Sequence, residues 1–221
     1  MHLHRLTRDT GDVLIMDAVL ETYDATDFAL WPVADPPAKH LLSLSGRLSV
    51  RETGTAMAVL TSYNKSHHKA RARGPEDSTG QVSQLLSTDQ VIAPGGIRIQ
   101  DTSTGVTAPP GCCFGLENWR DWLDFMNAEE PWLGHDPTPR TEHTGTTVHL
   151  WPDAEHPAGA PIALPLARLP ELLGSVQAQL IAFLASVEEW ATRYAPPLAD
   201  ALVAKLDEDL TIGAPLRDGQ S

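Results

Sequence analysis

Cysteine is nearly absent from this 221-residue chain: Cys112 and Cys113, neighbours in sequence, are the only two. A disulfide scaffold is thereby excluded, because a bridge between adjacent residues strains the preferred geometry. Two reduced thiols of a reducing compartment are expected instead. Lysine is almost as scarce, four residues beside twelve arginines, and positive charge as a whole is outnumbered, 16 Lys and Arg against 29 Asp and Glu for a formal net charge of −13. Nucleic-acid binders and membrane-surface proteins need excess positive charge to face polyanions, so neither partner is expected, and a basic protein partner suits the balance better. Long apolar runs are missing too. The greasiest stretch, near residues 180–187, falls well short of the roughly 18 residues of a membrane span. Residues 1–16 are interrupted by Arg5, Arg8, Asp9 and Asp12 and hold no apolar segment of signal-peptide length. A cytoplasmic location is expected. Catalytic signatures are also lacking: there is no G-x-x-x-x-G-K-[ST], Gly95-Gly96 lacks the third glycine of a dinucleotide fingerprint, and no G-x-S-x-G supplies a nucleophile elbow.

What remains has an ordinary globular composition, 42% hydrophobic and 20% charged, and a chain of this length buries roughly 70% of its unfolded surface without a metal or disulfide staple. Residues 12–20 place Leu14, Met16, Ala18 and Leu20 on one side of an extended chain with Val13, Ile15 and Val19 on the other, which reads as a strand buried on both faces. Residues 24–37 form a proline-rich packed loop. Residues 47–52 and 55–62, flanking Gly54, read as a hairpin, and residues 62–80 as an exposed loop carrying Lys65, Lys69, Arg71 and Arg73. Val91–Ala93 and residues 97–100, separated by Pro94-Gly95-Gly96, read as a second hairpin. From residue 115 to 127 the spacing of Leu116, Trp119, Trp122, Leu123 and Met126 predicts an amphipathic helix. Residues 127–147 look irregular, and 147–151 resume a strand. From Leu169 a long apolar stripe predicts a helix opened by Pro170 and ended by Pro196-Pro197; Leu198, Leu202, Leu206 and Leu210 predict a second helix folding back on it. The expected fold is α+β: residues 1–168 form a mostly antiparallel β region with a tryptophan helix, and residues 169–212 form a helical hairpin packed on the same core, one domain in all.

Two constellations invite a functional reading. Glu117, Asp121, Asp124, Glu129 and Glu130, with Trp119, Trp122 and Trp132 among them, concentrate negative charge and indole rings. Acidic groups around exposed aromatic anchors would suit docking of a basic partner, with packing of the tryptophans into the core as the competing reading. His135, Asp136, His143 and His149 offer imidazole and carboxylate donors, the set a small metal-dependent enzyme would use, although no H-x-x-x-H puts two of them on one helical face. Cys112-Cys113 could supply a thiolate just ahead of a helix, or simply pack the approach to it.

The segments GCCFGLENWRDW at residues 111–122 and PWLGHDPTPR at 131–140 resemble a family of high-GC bacterial proteins that carry GCC-x-GLE-x-W-R-x-W near a WLGHDP element. That likeness implies no activity. The general layout, small, acidic, α+β and without catalytic signatures, is similar to the immunity proteins that accompany bacterial polymorphic toxins. It implies a non-enzymatic inhibitor of a basic toxin or effector, with no cofactor.

Overall fold

The computed structural model describes residues 14–67, 77–155 and 160–216. Strand β1, Leu14–Glu21, lies between β2, Leu41–Ser43, and β3, Gly95–Asp101, and β4, Thr107–Ala108, closes the far edge of this antiparallel sheet. The period-two reading of β1 holds. Leu14, Met16, Ala18 and Leu20 are buried on one face, and on the other Val19 is buried while Ile15 reaches solvent. A second antiparallel sheet, β5 Arg140–Thr144, β6 Thr147–Trp151 and β7 Ile162–Pro165, follows the tryptophan helix. The chain is α+β, as expected; of its C-terminal helices α3, Leu169–Tyr194, packs on β1 and α4, Ala199–Asp209, packs on α3. Helix α3 opens with proline in its first turn, where no backbone donor is needed, and buries the stripe from Leu169 to Ala191. By length and apolarity alone α3 would pass for a membrane span; that stripe instead lines the core shared with both sheets.

Residues 47–62 are not a hairpin. From residue 50 they belong to helix α1, Val50–His67, which is buried almost all round from Thr53 to Thr61, so no exposed face marks a helical period there. Its buried hydroxyls are satisfied locally. Thr53, Thr55 and Thr61 donate to carbonyls four residues back, and Asn64 Nδ2 donates to Leu60. Ser49 and Glu52 close its start as a capping box, Ser49 N donating to Glu52 Oε2 at 2.7 Å and Glu52 N to Ser49 Oγ at 3.3 Å. Gly54 is required because a Cβ there would sit 2.4 Å from the Pro32 carbonyl, where the proline-rich loop presses on the helix. The expected loop at 62–80 is shortened from both ends, by α1 and by α2, Ser78–Leu86, whose Asp77 cap accepts from Gly80 N at 2.7 Å. Lys69, Arg71 and Arg73 lie outside the described residues.

The second hairpin also dissolves. β3 pairs with β1 and β4, while Val91–Ala93 hold their backbone groups with side chains: Asp209 accepts from Val91 N, Asn64 brackets Ile92 through both amide atoms, and Glu117 accepts from Ala93 N. Those four bonds, from three side chains, do for the segment what a strand partner would otherwise do.

The tryptophan helix, Leu116–Asn127, is a 3-10 helix of twelve residues, unusually long for that type. Its buried residues are Leu116, Trp119, Trp122 and Phe125, each three after the last, so at three residues per turn they stack in a single ridge. The expected α-helical face is corrected accordingly: Met126 is exposed and Leu123 half-buried, and Phe125 takes the core position.

Candidate functional site

Three ridges of the 3-10 helix decide the fate of the expected docking residues. Trp119 and Trp122 lie on the buried ridge, and Trp119 Nε1 donates to the Leu210 carbonyl at 2.9 Å, tying the helix to the end of α4. They are structural, not surface anchors. The next ridge carries Glu117, whose carboxylate accepts from Ala93 N at 2.9 Å, and Arg120, which donates to the carbonyls of Thr211, Ala214 and Pro215 and stacks over the Trp119 ring. Burial pushes the Glu117 carboxyl above its ordinary range. The third ridge leaves Asp121 exposed and Asp124 half-exposed; burial and then the Asp124 charge raise the Asp121 carboxyl. Beyond the helix Glu129, Glu130 and Trp132 are exposed, the Trp132 ring to 58%. The acidic tryptophan face is thus divided: its rings at 119 and 122 face inward, and its outer part begins at Glu129.

The expected histidine set is divided as well. His143, on β5, packs against Phe125, and His149, on β6, lies beside Trp151. Among the described residues neither joins a group of three metal-capable side chains. His135 does, with partners drawn from elsewhere: one donor atom each of Cys112, Cys113 and His135 all lie within 4.8 Å of one another.

The backbone explains this meeting. Residues 111–112 and 134–135 run side by side, Cys112 N donating to the His135 carbonyl at 2.5 Å and His135 N to the Cys112 carbonyl at 3.2 Å. Gly111 and Gly134 face one another so closely that a Cβ on Gly134 would lie 2.7 Å from the Gly111 carbonyl. In an extended chain Cys112 and Cys113 would point to opposite sides. Cys113 has φ 67°, a left-handed conformation costly for a residue with a side chain, and its Sγ lies 3.2 Å from that of Cys112. The pair does not pack the helix approach: Cys113 is exposed and Cys112 half-buried, both as free thiols. The Cys112 thiol is pushed up to about 11, first by its hydrogen bond with Cys113, then by burial, with smaller contributions from the Cys113, Glu21 and Asp136 charges. His135 Nδ1 is 3.3 Å from Asp136 Oδ2.

Around the thiols the field is negative. Burial and then the charges of Cys113, Glu117, Cys112 and Asp24 raise the Tyr63 hydroxyl; burial and then Asp24 raise Glu21. Two large aromatic rings are exposed: Trp132, edge-on to Phe114 and tilted against His135, and Tyr23, 59% exposed and stacked on His40. Sequence reasoning missed Glu21 and Asp24, whose charges act on Cys112 and Tyr63 across segments far apart in the chain, and the exposed Tyr23 between them. The glycines of PPGCC and WLGHD were a usable signal, each marking a point of close backbone approach.

Comparison with protein-family models, with curated proteins and with solved structures finds no match for this chain.

Proposed function

We propose that this chain is a non-enzymatic protein-binding protein of the immunity type, which covers a basic surface on a toxin or effector with the face formed by Glu21, Tyr23, Asp24, Trp132 and Asp136 and extended by Glu129 and Glu130. The observation that supports the reading is the exposure of two large aromatic rings, Tyr23 and Trp132, each with acidic residues beside it in the chain, Glu21 and Asp24 at the first and Glu129, Glu130 and Asp136 at the second. Exposed rings rimmed by like charges are what a hot spot for an oppositely charged partner requires, since aromatic anchors supply affinity and the charged rim supplies steering and selectivity. The net charge of −13 favours the same class of partner and a cytoplasmic setting away from nucleic acid and membrane. The metal-dependent enzyme reading that used His135, Asp136, His143 and His149 together loses its support, because His143 and His149 sit in different surroundings.

The test is complex formation with the product of the adjacent reading frame, if that product is basic. A one-to-one complex that weakens with added salt is expected. Trp132→Ala should weaken it by about 2 kcal/mol, roughly thirtyfold, and Asp24→Lys combined with Asp136→Lys should slow association. Absence of binding, or binding indifferent to salt and to these substitutions, would overturn the proposal.

A further inference from the structure

We propose that Cys112, Cys113 and His135 bind one thiophilic d10 cation, zinc(II) being the occupant that the donor set fits most simply. A tetrahedral zinc ion with Zn–S near ~2.3 Å and Zn–N near ~2.0 Å holds its ligand atoms roughly 3.5–3.8 Å apart. The two sulfurs stand at 3.2 Å and all three donors lie within 4.8 Å, so shifts of about an ångström bring them to those separations.

Three independent features of the fold bear on the site. The left-handed backbone at Cys113 is a strained conformation whose visible effect is to turn both thiols to one side. The Gly111–Gly134 contact and the paired backbone bonds between Cys112 and His135 fix the two segments at the distance the cluster needs. The Asp136 carboxylate stands at His135 Nδ1, where it would orient an imidazole that ligates through Nε2.

The chemistry is selective. Two thiolates and an imidazole favour zinc, cadmium or copper(I) over the hard cations magnesium, calcium and manganese. Binding releases both thiol protons to the solvent, and two thiolates neutralise the dication. The occupied site therefore carries the same charge as two neutral thiols, and the inference stands apart from the docking proposal. Three protein ligands at an accessible surface leave the fourth position to water or to an exchangeable ligand, which makes this an open site and not a folding staple.

The experiment titrates the reduced, metal-free full-length chain with cobalt(II), reads the thiolate-to-cobalt charge-transfer band, and then displaces cobalt with zinc against a chromophoric chelator. One equivalent is expected. Cys112→Ser and Cys113→Ser should each remove or strongly weaken the band, Asp136→Asn should weaken zinc binding by about tenfold, and His143→Ala and His149→Ala should leave it unchanged. Zinc should also protect both thiols of the unaltered chain from maleimide, a readout that needs no variant to fold. Lack of a charge-transfer band in the reduced chain would overturn the inference. So would stoichiometric zinc retained by the Cys112→Ser/Cys113→Ser double variant, which would locate the metal at other histidines.

Discussion

Replacing Trp119 by phenylalanine separates a structural indole from a docking one. Trp119 is wholly buried, and its Nε1 is the donor to the Leu210 carbonyl, itself in a residue only 1% exposed. Phenylalanine fills most of the same space but cannot donate. Leaving that carbonyl unpaired costs about 1–3 kcal/mol, and the gap left by the missing five-membered ring adds about 1–2 kcal/mol, because a packed core closes only part of such a void. The sum, roughly 2–5 kcal/mol, is a large share of the 5–15 kcal/mol typical of a domain. Arg120, whose guanidinium stacks on this ring and holds the carbonyls of 211–215, should loosen with it. The assay is urea unfolding followed by far-ultraviolet circular dichroism, with Trp132→Ala as the comparison. The exposed Trp132 should change stability by no more than about 0.5 kcal/mol. If Trp119→Phe loses no more than Trp132→Ala, the indole is not bearing the load assigned to it, and the inward placement of the helix ridge is wrong.

Three other substitutions test separate parts of the structure. Gly134→Ala places a Cβ 2.7 Å from the Cys112 and Gly111 carbonyls at φ 92°, so a loss of about 1–3 kcal/mol in thermal unfolding is expected, together with faster maleimide labelling as the thiols part. The Asp101 carboxylate accepts from Ser103 Oγ and from the backbone N–H groups of Ser103 and Thr104, chiefly the first, which lowers its pKa. Its contribution is therefore present above the ordinary aspartate range and is lost as pH falls through the depressed folded value; Asp101→Asn should flatten the acid limb of a stability-against-pH curve. Glu117 is shifted the other way, by burial, so it binds protons more readily folded than unfolded and its charge erodes stability as pH rises from the ordinary glutamate range through the raised value. Glu117→Gln keeps an acceptor for Ala93 N and should remove that decline, read from unfolding midpoints at mildly acidic and neutral pH.

Much of the architecture was readable from residue order, because it rests on local periods. β1 alternates and lies centrally, and the leucine stripes of 169–194 and 198–210 repeat at helical spacing and become α3 and α4. Two local signals were present and misread. Ser49-Val50-Arg51-Glu52 is a capping box that announces α1, but Gly54 just beyond it suits a hairpin turn equally well. The three-residue spacing of Leu116, Trp119, Trp122 and Phe125 is the period of a 3-10 helix, but Leu123 and Met126 made a four-residue interval look equally good.

By itself the sequence determined the α+β class, the acidity, the scarcity of thiols, and the strand and helices whose one-sided burial leaves a period in the chain. Tertiary structure alone decided which tryptophans turn inward, how residues 91–93 satisfy their backbone, and that, among the described histidines, it is His135 that Cys112 and Cys113 meet. The difference is physical. A period records what one element buries against water, whereas the thiol and imidazole are brought together by two glycines far apart in sequence whose backbones touch, a contact that leaves no repeat to read.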